Sequence, residues 1–422
     1  MKEEKERSGC VLNRFEGNPI LGPEPKHSWE SKAVFNPAAL YEEGKVHILY
    51  RAIGDTDISI LGYASSIDGF HVDERLPEPA YVPRESFEGS GLVRPTPSYP
   101  QSAYVSTEDD IKYVSGGGWG GCEDPRLTKI DDKVFMTYVA FDGYSPPRIA
   151  LTSIHIGDFL TRNWQWQKPV LISPPGVVDK NPCILPEKID SKYVIFHRIF
   201  PNILVDFVDD LDFDGTTRWL RGEFKIQPRA SYWDSRKIGA GAPPIKTEDG
   251  WLLIYHGVDE RDAGRYKIGA MLLDLKAPTK VLARSDEPLL APQAWYENVG
   301  WKAGVVYPCG TVVIKDRLLV YYGGADSVAC VASAKLSELL DHLVGVRESV
   351  PSPICAPPTE ARITPVTPTP IKRVQGYCLK CRSKRVMKNA RVVIMKNGRP
   401  AIQGICSVCG SKMFRITKTE KR

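Results

Sequence analysis

Three groups of residues in this 422-residue chain have types and spacings that could do chemistry. The first is an adjacent carboxylate pair, Glu123 and Asp124, near the end of GGGWGGCEDPRL (116–127). A carboxyl group held beside a substrate can pass a proton in the transition state. The glycines before the pair let backbone approach a bulky ligand closely, and Trp119 offers a stacking face for a sugar. EDPR alone is a weak signal, because most isolated Asp-Pro pairs only start a turn. The second group is basic: Arg51, Arg198 and His256 each end a short apolar run, directly after an aromatic or histidine. Guanidinium forks and ammonium groups brought together bind small oxyanions. The third is Cys378-x-x-Cys381 and Cys406-x-x-Cys409, with 24 residues between the pairs. That is the spacing of four thiolates around a tetrahedral zinc ion.

The elements that must position these groups repeat. KVHILYR (45–51), KVFMTYV (133–139), KYVIFHR (192–198), GWLLIYH (250–256) and RLLVYYG (317–323) each follow a turn signal and a stretch that begins near a proline. A third apolar stretch follows each. These are strand–turn–strand units rich in Val, Ile and Tyr. The aligned residues Tyr50, Tyr138, His197, Tyr255 and Tyr321 lie 88, 59, 58 and 66 residues apart. Such a period in an all-β chain indicates a five-bladed β-propeller, one four-stranded blade per repeat. A β-sandwich does not account for the recurrence. The long first gap implies an insertion of about 25 residues within 75–115, long enough to be functional.

Alternate side chains of a strand face opposite ways, so matching positions in different blades face matching places. After the aligned aromatic come Arg51, Val139, Arg198, His256 and Tyr322. One strand earlier, the proline-bearing starts carry Asn36, Asp124 and Asn181, with Lys180 beside the last. Any one surface base is usually a solvated charge. Agreement of phase across the repeats points instead to an axial pocket for a small oxyanion, with carboxylates nearby.

Residues 371–422 hold 15 Lys and Arg against one acid, leaving −9 for the rest of a chain whose total is +5. Seven prolines in 349–370 read as an extended linker. The expected organisation is a catalytic propeller over 1–345, a linker over 346–372 and a small zinc-ribbon-like domain over 373–422. A metal would supply folding energy that so small a module cannot draw from a core. The basic tail permits nucleic-acid binding, but its sparse aromatics do not favour it; docking to the acidic propeller or to a neighbouring subunit is the alternative. No apolar leader and no apolar run of membrane-spanning length occur, and six cysteines are scattered. The expectation is a cytoplasmic protein with reduced thiols and no membrane partner.

The order of motifs resembles glycoside hydrolase family 130, the β-mannoside phosphorylases and their relatives. The matching text is NPIL (18–21), VFNPAALYEEGKVHILYRA (34–52), LGYASSIDG (61–69), GCEDPRL (121–127), LPEKI (185–189), HRI (197–199), KIGAGAPPIKTEDGWLLIYHGV (237–258), YKIGAMLLDL (266–275), VLAR (281–284), VVYPCG (305–310) and YYGGAD (321–326). The resemblance implies a five-bladed propeller and inverting phosphorolysis of β-mannosides, with inorganic phosphate as co-substrate and α-mannose 1-phosphate as product. It implies that Asp124 is the general acid, its proton passing through a sugar hydroxyl. It implies that Lys180, Asn181, Arg198, Lys237 and His256 hold phosphate, and that Arg51, Glu123, Tyr266 and Asp326 stand on the sugar side or support it; Asn36, from the phase of the repeats, is expected to bind substrate with them. Family members often assemble as homo-oligomers. One departure is Gly304, where the family usually has Asn. A hydrolytic β-mannosidase and a non-enzymatic glycan-binding propeller are the alternatives.

Overall fold

The computed structural model describes residues 12–91, 118–349, 375–378, 380–381, 383–394 and 400–416. The chain divides into two units, Met1–Pro351 and Ser352–Arg422. The first is a ring of five blades. Four of them start with a strand that carries a proline, and in the fourth Pro243 and Pro244 follow the first strand, Lys237–Ala240; each then turns back through the aromatic-ended strand and continues outward. The first blade comprises Ala33–Glu42, Lys45–Ile53, Ile58–Ser66 and Glu74–Arg75; the second comprises Gly120–Ile130, Lys133–Phe141, Arg148–His155 and Val170–Leu171. The third runs Lys180–Ile184, Tyr193–Ile199, Asn202–Val208 and Phe224–Ile226. The fourth contains Lys237–Ala240, Ile245–Lys246, Trp251–Asp259, Asp262–Leu273 and Val281–Arg284. The fifth takes Val306–Ile314, Arg317–Gly324 and Val328–Lys335 from the end of the unit, and its outer strand, Asn13–Arg14, from the start. Asn13 pairs with Ser333, so the ring is closed by hydrogen bonds between the two ends of its own chain.

Five apolar clusters fill the five seams. Leu49 and Leu61 meet Met136 and Tyr138 between blades one and two; Ile130 and Ile149 meet Ile184 and Ile195 between two and three. Phe196 and Val205 meet Leu253 and Tyr255 between three and four; Ile254 and Leu272 meet Val306 and Val320 between four and five. Leu319 and Val331 close on Ile48 and Ala52. Burial at about 25 cal/mol per Å² of apolar surface makes these seams the main cohesive force of the ring. The helix Leu336–Ser349 adds Leu339 and Leu343 to the fourth seam.

A second repeat runs through the seams and was not visible in the sequence. The aromatic of the second strand meets a buried carboxylate that precedes each blade. Tyr50 donates to Glu30 at 2.9 Å, Tyr138 to Glu88, Tyr255 to Asp234 at 2.8 Å and Tyr322 to Glu297 at 2.9 Å. In the third blade His197 stands in the same place, between Asp179 at 2.7 Å and Asp206 at 2.8 Å. The fifth member of the aromatic repeat is therefore Tyr322, not Tyr321. Tyr321 faces the first blade and donates to the Gly69 carbonyl at 2.6 Å. A slip of one residue turns a strand side chain to the opposite face, which is why spacing alone misplaced it. The residue after the true repeat is Gly323, so Tyr322 does not face the axis.

The insertion falls between Glu88, the carboxylate of the second blade, and Gly120, where that blade begins; residues 92–117 lie outside the described ones. In the second unit, Gln375–Cys378, Ser383–Ile394, Pro400–Cys406 and Lys412–Ile416 form one antiparallel sheet in chain order. Among the described residues no helix is long and apolar enough to cross a membrane.

Candidate active site

The proline-bearing strands are the innermost. Each of the first three is broken by a bulge where register shifts: between Phe35 and Ala38, between Glu123 and Arg126, and between Lys180 and Cys183. At each bulge the residue before proline takes a left-handed backbone: Asn36 at φ 51°, Asp124 at φ 50° and Asn181 at φ 58°. Asn and Asp are the non-glycine residues that tolerate this region best, and bulges re-aim side chains. In each of these three blades one strained residue turns a polar group into the axis.

Gly120 and Gly121 serve a different purpose from the one expected, and Gly116 and Gly117 lie outside the described residues. Gly121 sits at φ 107°, and a Cβ there would lie 2.2 Å from the Ser59 carbonyl oxygen. Gly120 and Gly121 pair in parallel with Ile58 and Ser59, so the first two blades form one sheet. The close approach is backbone to backbone, and it fixes where Glu123 and Asp124 begin.

Five expected residues meet directly. Asn36 Nδ2 donates to Asp124 Oδ1 at 2.7 Å, and Arg51 donates to the same oxygen at 3.2 Å. Arg51 also reaches Glu123 at 3.2 Å, and Lys180 approaches the other Glu123 oxygen at 3.7 Å. Asp124 is only 6% exposed. Burial pushes its carboxyl up, but Arg51, Arg126, Asn36 and Lys180 outweigh that and hold it below the usual range.

Four further expected residues gather across the axis around Tyr307, and a fifth adjoins them. Arg198 Nε donates to Asn181 Oδ1 at 2.5 Å, and Asn181 Nδ2 donates to the Tyr307 hydroxyl. The His256 ring lies 4.7 Å from that of Tyr307 and 5.6 Å from that of Tyr266. Lys237 Nζ donates to the Tyr266 hydroxyl at 2.5 Å. Gly239 makes the meeting of His256 and Asn181 possible, since a Cβ there would fall within 2.7 Å of both. Asp326 follows the second strand of the fifth blade and is 8% exposed. Burial, then Asp124, push its carboxyl up to about 6 against the pull of Lys302, Arg51 and Lys180.

The two halves differ in charge balance. Arg51 and Lys180 stand beside Glu123 and Asp124. Among the described residues, Arg198, Lys237 and His256 have no carboxylate within ion-pair distance. Both ring nitrogens of His256 lack a hydrogen-bond partner while the ring is fully buried. Burial, with Arg198, Lys237, Arg126 and Lys302, holds His256 far below its ordinary pKa. Lys237 is likewise lowered, first by burial and then by Arg198 and Lys302, although Tyr266 opposes the shift. Buried polar atoms and clustered like charges without partners are costly, and an anion between them removes both costs.

Sequence reasoning missed Arg126, Tyr307 and Lys302. Arg126 is fully buried, donates to the Gly241 carbonyl at 2.9 Å and the Asp124 carbonyl at 2.6 Å, and leaves Nη2 without a partner. It was on view in EDPR, and Tyr307 in the proline-bearing start of the fifth repeat. Lys302 carries no such signal.

In the second unit the sulfurs of Cys378, Cys381, Cys406 and Cys409 all lie within 4.8 Å of one another. Four thiolates at ~2.3 Å from a tetrahedral ion stand about 3.8 Å apart, so this donor set fits such a metal. Cys378 to Cys409 is 3.4 Å and Cys381 to Cys406 is 3.9 Å.

The fold is a five-bladed propeller that gathers Asp124, Arg51 and Lys180 in one group and Arg198, Lys237 and His256 in another at its hub. The family model described as beta-1,4-mannooligosaccharide phosphorylase matches residues 108–344. The chain belongs to glycoside hydrolase family 130. It is 37% identical to 1,2-beta-oligomannan phosphorylase of Thermoanaerobacter sp. (strain X514), over 78% of this chain and 98% of the relative. Its fold is similar to the solved Beta-1,2-Mannobiose phosphorylase of Listeria innocua in complex with beta-1,2-mannobiose, with TM-score 0.59 and 26% identity over 79% of this chain and 99% of that one. A second solved structure, with TM-score 0.61 and 26% identity over 79% and 96%, is described as showing that the family contains glycoside hydrolases that target beta-1,2 mannosidic linkages in Candida mannan. A model of a domain of unknown function matches residues 377–416.

Proposed function

We propose that the propeller phosphorolyses β-mannosides with inversion, transferring a mannosyl unit to inorganic phosphate and releasing α-mannose 1-phosphate. A phosphate oxygen forms a bond to C1 as the bond from C1 to the glycosidic oxygen breaks. Asp124 supplies the proton that the leaving oxygen takes up. Arg198, Lys237, His256, Asn181 and Lys180 hold the phosphate, while Asn36, Arg51, Glu123, Tyr266 and Asp326 shape the sugar side. Phosphate is already an anionic nucleophile near neutral pH, so no second carboxylate is needed to activate water, as it is in inverting hydrolysis. The observation that carries this reading is the pocket of bases without carboxylate partners, opposite the Asp124 carboxylate in contact with Asn36 and Arg51. The relatives named as mannoside phosphorylases support the same reaction.

The test is release of mannose 1-phosphate from β-1,2- and β-1,4-linked manno-oligosaccharides with and without phosphate. Turnover undiminished without phosphate would favour hydrolysis, the second reading, which rests on the hydrolases that the family contains. Asp124→Asn is expected to lower turnover by about 10²–10⁴-fold while phosphate still binds.

The four-cysteine unit is assigned a structural zinc ion held by Cys378, Cys381, Cys406 and Cys409, which would cross-link the two turns of its sheet. The expected linker over 346–372 overlaps the helix, which runs through Ser349, so we assign residues 350–372 to a linker and 373–422 to this unit. The buried free thiols of Cys122, Cys183, Cys309 and Cys330 suit the reducing cytoplasm.

A further inference from the structure

We propose that Lys302 is a further phosphate ligand, a cation at the rim of the hub that closes over an anion already held by Arg198, Lys237 and His256. This rests on the phosphorolysis reading and adds a residue that none of the matched motifs contains.

Lys302 lies in the segment that joins the short helix Trp295–Asn298 to the inner strand of the fifth blade. The backbone there is tied on every side. Trp301 N–H donates to Ser327 Oγ at 3.0 Å and Lys302 N–H to the Ala325 carbonyl at 3.0 Å. Gly304 N–H donates to the Glu297 carbonyl at 2.9 Å, and the Gly304 carbonyl accepts from Tyr266 N–H at 3.0 Å. Gly304 turns the chain at φ 79°. The segment is thus a fixed base that straddles Asp326 and joins Tyr266.

From that base the Lys302 side chain is directed at the site. Its Nζ lies 4.2 Å from the centre of the Tyr266 ring, which Lys237 Nζ also faces at 4.5 Å. Two ammonium groups on one ring repel each other, and solvent is open to an exposed lysine. Cation–π attraction accounts for part of the preference. Among the described residues no carboxylate lies within ion-pair distance of Lys302; Asp326 feels its pull from beyond that distance. The same field reaches the neighbouring groups: Lys237 first and then Lys302 counter burial and bring Tyr266 down to about 8. A tetrahedral oxyanion offers an outward oxygen after its other oxygens are held from the hub. An exposed ammonium beside the pocket matches that oxygen, both in free phosphate and in the phosphoryl group of the product.

The experiment is titration of wild type, Lys302→Ala and Lys302→Arg with inorganic phosphate by calorimetry, together with steady-state rates at varied phosphate and varied mannoside. Lys302→Ala is expected to raise the phosphate Kd and KM by about 5- to 20-fold, as for one partly exposed charge-assisted hydrogen bond. The mannoside KM should stay within about two-fold, and Lys302→Arg should restore most of the loss. A phosphate Kd for Lys302→Ala within about two-fold of wild type would overturn the proposal. Lysine-dependent phosphate binding without phosphorolysis would sink the reaction but keep this ligand. A wild-type protein that binds no phosphate would sink both.

Discussion

The side-chain amide of Asn36 donates a 2.7 Å hydrogen bond to Oδ1 of Asp124, across the seam between the first and second blades. The bond stabilises the carboxylate, as do Arg51 and Arg126, and the net effect exceeds the upward push of burial. For stability the sign is that of any depressed acid. The contribution is whole above the ordinary Asp value near 4 and is lost as pH falls through the lower folded value. Catalysis needs the protonated form. Asn36→Ala removes a donor to the anion, so the alkaline limb of the kcat/KM profile should move up by about half to one pH unit. Loss of positioning should lower kcat by about ten-fold. A limb that stays in place would show that Asn36 does not tune this acid.

Asp326 has the opposite sign. Its carboxyl is raised to about 6, chiefly by burial. The folded state holds that proton more tightly than the unfolded chain, so stability falls as pH rises from about 4 through 6. Asp326→Asn should therefore stabilise the propeller at pH 7 by about 1–3 kcal/mol, with no gain below about pH 4, while activity drops. Denaturant melts at several pH values measure it, and equal stability at pH 7 would contradict the burial argument.

His197 donates from both ring nitrogens to Asp179 and Asp206, so it is the imidazolium form that fits. Burial lowers its pKa, but the two carboxylates outweigh burial and raise it to about 9. A raised base stabilises fully below its unfolded value near 6.5, and the contribution is lost as pH rises through about 9. His197→Gln removes the cation between two buried carboxylates, of which Asp206 keeps its backbone N–H donors, and should cost about 3 kcal/mol at pH 6, a difference that narrows above pH 9. Because Asp179 precedes Lys180 and Arg198 follows His197, the phosphate KM should rise with it. Thermal unfolding from pH 6 to 10 checks the first part, and a pH-independent deficit would reject it.

Gly121→Ala tests the joint between the first two blades. The new methyl would meet the Ser59 backbone at 2.2 Å, and φ 107° is foreign to alanine. A loss of about 3 kcal/mol or more is expected in chemical denaturation. Wild-type stability would mean that the parallel pairing at Ser59 is dispensable.

The four-cysteine cluster should bind one zinc ion per chain, released by chelator and abolished by Cys406→Ser. Elemental analysis of the purified protein, without added metal, reads this directly. A chain that retains no metal, with its sheet intact by far-UV dichroism, would refute the assignment.

The sequence by itself determined the ring of strands and most of its hub. Five recurrences of an aromatic-ended strand with a proline nearby upstream state the blade count, because each blade must bury the same faces against its neighbours. Asn36, Asp124 and Asn181 were legible because they precede proline at matching points. Lys237, Tyr266 and Asp326 came only through the family motifs. What sequence spacing could not decide were matters of face and closeness. Tyr322 rather than Tyr321 completes the aromatic repeat, since one residue of slip reverses a strand and leaves spacing almost unchanged. The glycines at 120–121 serve the Ser59 backbone rather than a ligand, since only the folded sheet brings those segments together. Lys302 entered the site through loop connections to Ser327, Ala325 and Tyr266, which no local pattern encodes. Periodicity is a property of neighbours along the chain, whereas charge convergence at a hub depends on distances between residues far apart in it, and only the tertiary structure sets those.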